Sequence, residues 1–91
     1  MKIYAIEFER TPAYSMMSFA TETADVKAET EGKALERFIS EMKVRGCSFD
    51  PPNKHWDKLE RIISVKKYYH YLFEAEDQDF YLDDTMGGLR S

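Results

Sequence analysis

His55 and His70 are the only histidines in this chain and Cys47 its one cysteine, the first side chains to weigh for general-base or nucleophilic chemistry. His55 stands beside Trp56 and Asp57, and His70 stands between Tyr69 and Tyr71. Neither has the placed partner that a general base needs. No serine sits in a nucleophile-elbow motif, and Cys47 has no Cys–His signature around it. Asp77, Asp79, Asp83 and Asp84 could offer oxygens to a hard cation, but the regular offsets and central glycine of a calcium loop are missing. The paired glycines, Gly87-Gly88, stand outside any strand–loop–helix setting, so they do not read as a phosphate loop. The sequence therefore predicts no enzyme activity, no bound metal and no cofactor.

Two stretches are suited to binding. Lys54, His55, Lys58, Arg61, Lys66 and Lys67 crowd a segment that runs into Tyr68, Tyr69 and Tyr71. Cations interleaved with aromatics can hold a single-stranded nucleic acid by phosphate contact and stacking. Asp57 and Glu60 interrupt that run. The second stretch is Glu74-Ala-Glu-Asp-Gln-Asp-Phe-Tyr-Leu-Asp-Asp84. Residues 1–73 carry 12 Lys/Arg against 11 Asp/Glu, whereas residues 74–91 carry Arg90 alone against six acids. The whole net charge of −4 thus resides in the C-terminal segment. Asp77, Asp79, Phe80, Tyr81, Leu82, Asp83 and Asp84 combine apolar anchors with steering charges, which fits a basic protein surface. Tyr69 and Tyr71, left on an uncovered sheet face, would extend that interface or serve a homodimer.

The elements that position these residues follow from periodicity. Tyr4, Ile6 and Phe8 alternate with Glu7 and Glu9, which predicts a strand over 2–9. Pro12 ends it. A second extended segment is expected from about Ser15 to Ala28, with a bulge or turn where the apolar parity changes near Glu22–Thr23. Thr30 is the expected N-cap of a helix over 31–45, with Ala34, Leu35, Phe38, Ile39 and Met42 as its apolar stripe and Gly46 as its left-handed stop. Pro51-Pro52 stiffens the next loop. From Trp56 to Phe73, β-branched and aromatic content favours a strand, although Leu59 and Ile62/Ile63 also fit a helical period. Beyond Glu74 the chain is expected to be irregular, apart from a short pairing segment at Phe80–Leu82. Ile6, Phe8, Leu35, Phe38, Ile39, Met42 and Ile63 form the expected core.

Ninety-one residues make a single domain, read as a body over 1–73 and an acidic-aromatic tail over 74–91. The fold expected is α+β: an antiparallel sheet of three to four strands in the order β-β-α-β, with one helix across one face. The turn from Val26-Lys-Ala-Glu-Thr30 into Glu31-Gly-Lys-Ala-Leu-Glu-Arg-Phe38 resembles a strand-to-helix unit common in small phage, plasmid and ribosome-associated α+β domains. That resemblance implies the fold. No signal-peptide core opens the chain, no run nears the roughly 18 apolar residues of a membrane span, and a lone cysteine fits a reducing compartment. A cytoplasmic protein-binding module is therefore expected, of the size and composition of a phage or mobile-element accessory protein. A single-stranded nucleic-acid-binding domain is the alternative.

Overall fold

The computed structural model describes residues 2–13, 20–68 and 80–83. Strands β1 (Lys2–Thr11), β2 (Ala20–Ala28), β3 (Cys47–Ser48), β4 (Asp57–Tyr68) and β5 (Phe80–Asp83) form one sheet in the order β3-β4-β1-β2-β5, and helix α1 (Glu31–Val44) packs on one face. The α+β class and the β-β-α-β order agree with expectation. The sheet is mixed, because the two-residue β3 pairs parallel with the start of β4.

β1 is the central strand. Its even positions, Tyr4, Ile6 and Phe8, are buried under the helix. It pairs with β2 without interruption from Lys2↔Ala28 to Arg10↔Ala20. No bulge interrupts β2 at Glu22–Thr23. The register instead puts Glu22 on the helix side with Ala24, Val26 and Ala28. The apparent change of parity arises because this inward position carries a buried charge. The earlier part of that expected strand lies largely outside the described residues.

α1 starts where Thr30 accepts a hydrogen bond from the Lys33 backbone N–H at 3.2 Å and stops at Gly46, whose φ of +77° suits glycine. Ala34, Phe38 and Met42 recur every fourth residue and form its buried stripe. The Phe38 ring meets Phe8 at 4.9 Å between centroids, tilted by 58°. Leu35 and Ile39 are partly buried against the same cluster.

β4 pairs antiparallel with β1 and skips a residue twice. Glu7 faces Ser64 while Phe8 faces Ile62, and Glu9 faces Arg61 while Arg10 faces Leu59. Ile63 and Glu60 are the extra residues at two bulges. Each bulge restores the inward phase after three residues instead of two. Leu59, Ile62 and Val65 consequently all reach the core side, opposite Arg10, Phe8 and Ile6. A three-residue apolar spacing inside a strand imitates a helical period, which accounts for the competing reading of this segment. It also removes Ile63 from the expected core: Ile63 is 37% exposed.

Candidate functional site

The acidic segment is attached to the sheet by β5. Phe80 pairs with Val26 and Leu82 with Ala24, both inward positions of β2. The two side chains are partly buried against the core. Phe80 stacks near Phe38, with centroids 6.5 Å apart and planes at 28°, and the Arg45 guanidinium lies 4.6 Å from its ring centroid. Arg45 is itself held by Glu41, one turn earlier, at 2.9 Å. A ring with an aromatic neighbour and a cation over it is a docked ring. Phe80 and Leu82, expected as partner-facing anchors, are thus engaged by their own domain. The reason is register: alternate residues of an edge strand fall on the helix side. Positions 81 and 83 pair with Asp25 and Thr23. Asp77, Asp79, Asp84, Tyr69 and Tyr71 lie outside the described residues, as do the boundary at residue 73 and His70.

The basic stripe divides. Lys58, Arg61 and Lys66 fall opposite Thr11, Glu9 and Ala5, on the helix-free face. Lys67 falls opposite Tyr4, on the other face, and Lys54 is exposed in the loop before β4. Tyr68 ends β4 opposite Ile3. Acids are interleaved with these cations. Arg61 Nε donates to Glu9 Oε1 at 2.8 Å, Thr11 Oγ1 donates to Glu60 Oε2 at 2.6 Å, and Ser64 Oγ donates to Glu7 Oε1 at 3.3 Å. Ala5, Glu7, Thr23, Ser64 and Lys66 line a shallow depression of about 200 Å³ on this face. Charge on the face is mixed rather than uniformly positive.

A third group was not foreseen from the sequence. On the helix side, at the far end of β1, Arg10 Nη2 donates to Glu22 Oε2, and Arg10 Nη1 lies 3.7 Å from Asp57 Oδ2. Asp57 Oδ1 accepts from the Ala13 backbone N–H at 2.8 Å. Glu22 is 7% exposed. Its Oε1, like Arg10 Nε, is buried without a hydrogen-bond partner. The signal was available: Arg10 continues the inward phase of Tyr4, Ile6 and Phe8, and Glu22 that of Ala24 and Val26. Charges at matching inward positions of neighbouring strands can pair in the interior. Cys47 lies close enough to feel these charges. It is fully buried, and burial pushes its thiol up to about 11. A neutral, inaccessible thiol is a poor nucleophile.

The larger groove, about 400 Å³, runs between α1 and the end of β2 and is lined by Ala28, Glu29, Lys33, Glu36, Arg37 and Ser40. Among the described residues, no three His, Cys, Asp or Glu side chains are grouped to hold a metal ion, and no helix is long and apolar enough to cross a membrane. No family model, curated protein or solved structure matches the chain.

Proposed function

We propose that the chain is a non-enzymatic protein-binding module whose acidic C-terminal segment meets a basic partner surface, with β5 as the mount for that segment. The observation that carries this reading is the docking of Phe80 and Leu82 on the core. It fixes one point of a segment whose sequence holds six acids. Partner contact then falls to Asp77, Asp79, Tyr81, Asp83 and Asp84, with Tyr69 and Tyr71 as further contacts. Anchoring at one point lowers the ordering entropy that an acidic tail loses on binding. Such a module suits an accessory protein of a phage or mobile element that occupies the nucleic-acid-binding surface of a host factor.

The alternative is single-strand binding by Lys58, Arg61 and Lys66, which share one face. Glu7, Glu9 and Glu60 on the same side weaken any phosphate-attracting field there. Fluorescence anisotropy with labelled oligolysine and with a short oligothymidylate, each across a salt series, separates the two readings. Oligolysine should bind, weaken steeply with salt, and be lost when Asp77, Asp79, Asp83 and Asp84 are all changed to Asn, with the melting temperature kept. Unchanged binding by that variant, or preference of the native chain for the oligonucleotide, would refute the proposal.

A further inference from the structure

β2 is longer than its outer neighbour. It runs for nine residues, and β5 pairs only with Thr23, Ala24, Asp25 and Val26. Among the described residues, no strand pairs with that side of β2 at Lys27 and Ala28 or from Ala20 to Glu22. The helix-side row of β2 is small where β5 meets it: Ala24, Val26 and, just beyond, Ala28. Small side chains on one strand leave room for larger ones on the next. β5 shows what fills that room. Leu82 stands opposite Ala24, and Phe80 opposite Val26, with Phe38 as its aromatic neighbour and the Arg45 guanidinium over its ring. Both side chains remain only partly buried. Past the Phe80 end, the space between the β2 edge and α1 continues as the groove of about 400 Å³ lined by Ala28, Glu29, Lys33, Glu36, Arg37 and Ser40.

We propose that the channel between the β2 edge and α1 is a docking groove for an extended peptide of a partner protein, and that β5 is its resident, displaceable occupant. The peptide adds antiparallel to β2. Main-chain bonds supply affinity, and side chains at alternate positions supply specificity. The seat of β5 defines the peptide's chemistry. An aromatic residue falls opposite Val26, under Arg45, and an aliphatic residue two positions later falls opposite Ala24. Two positions before the aromatic, a polar residue falls opposite Ala28, beside the polar wall of Lys33, Glu36, Arg37 and Ser40. A partner strand can pair along up to nine residues of β2, whereas β5 pairs along four. The advantage of β5 is its tether, which gives it a high effective concentration at the groove. β5 is therefore a built-in competitor, and a partner strand that takes the groove releases it. This surface takes a peptide by backbone pairing and apolar contact, so the inference stands whether or not the acids of the C-terminal segment meet a basic partner.

Fluorescence anisotropy tests the inference with a labelled synthetic peptide that has the sequence of residues 76–84. The full chain is used, with circular dichroism as the folding control. The double variant Phe80→Ala/Leu82→Ala weakens the resident strand and leaves the groove intact. It should bind the peptide about tenfold or more tighter than the native chain does. A peptide of the same charge, with alanine in place of those two residues, should bind the double variant about tenfold or more weaker. In ¹⁵N–¹H NMR spectra of the double variant, the first peptide should shift amides of β2 from Thr23 to Ala28 and of α1. A folded double variant that binds the peptide no better than the native chain would overturn the proposal. So would equal binding of the two peptides, or shifts confined to β4, since either result would make the contact one of charge alone. Should the double variant fail to fold, Leu82→Ala alone is held to the same outcomes.

Discussion

Two arginine–glutamate pairs bridge neighbouring strands of this sheet on opposite faces, and their surroundings give them different work. Arg10 and Glu22 join β1 to β2 on the helix side, with side chains 18% and 7% exposed. Arg61 and Glu9 join β4 to β1 on the open side, at 66% and 11%. Both pairs have hydrogen-bonding geometry. The first is largely out of water and leaves Arg10 Nε and Glu22 Oε1 without partners. The second keeps its cation in water. A buried charge is costly once its partner is gone, whereas a solvated charge is not. Similar chemistry is therefore structural on one face and nearly dispensable on the other.

The strongest way to break the comparison is Arg10→Met. It strands Glu22 among apolar neighbours and should cost about 3–5 kcal/mol in urea denaturation. Adding Glu22→Leu should recover most of that loss, because an apolar pair of similar size leaves no orphaned charge. If the double variant is no more stable than Arg10→Met alone, the pair does more than neutralise itself. Phe80→Ala comes next. The partly buried ring stacks by Phe38 and lies under Arg45, so its removal should cost about 2–3 kcal/mol and speed hydrogen exchange at the β2 amides that face β5. An unchanged melting temperature would mean that β5 is not held by its ring.

Cys47 sharpens the comparison through pH. Its thiol pKa is raised in the folded protein, from the ordinary 9.0 to about 11. Its contribution to stability is therefore complete below pH 9.0 and is lost as pH rises toward 11, where the unfolded chain ionises first. Cys47→Ala should remove that part of the alkaline decline, measured as the difference between the two pH–stability curves. Arg61→Ala has the smallest expected effect on the melting temperature, because its guanidinium already stands in water and Glu9 can be rehydrated at the open face. A loss equal to that of Arg10→Met would abolish the distinction between the faces.

The parts legible in the sequence were those governed by local rules. β1 shows its alternation, and α1 shows its cap at Thr30, its stripe and its stop at Gly46. The strand after Trp56 and the pairing segment at Phe80–Leu82 are legible too. What a segment's own period does not show is where it departs from regularity to satisfy a neighbouring strand. Glu22 occupies an inward position because Arg10 on β1 receives it. Leu59, Ile62 and Val65 look partly helical because two bulges bring them to the core every third residue. Phe80 and Leu82 look like free anchors, yet the edge of β2 and the end of α1 hold them. Pairings across strands are not visible in a periodicity taken one segment at a time.

We propose that a partner binds at the acidic segment that includes β5 rather than at the β4 stripe. The most direct measurement is a ¹⁵N–¹H NMR titration of the full chain with oligolysine and, separately, with oligothymidylate. The account predicts that oligolysine shifts amides from residue 77 to residue 84, together with the neighbouring β2 edge, and leaves β4 unmoved. Shifts concentrated on residues 54–67 with oligothymidylate, and none near β5 with oligolysine, would contradict it.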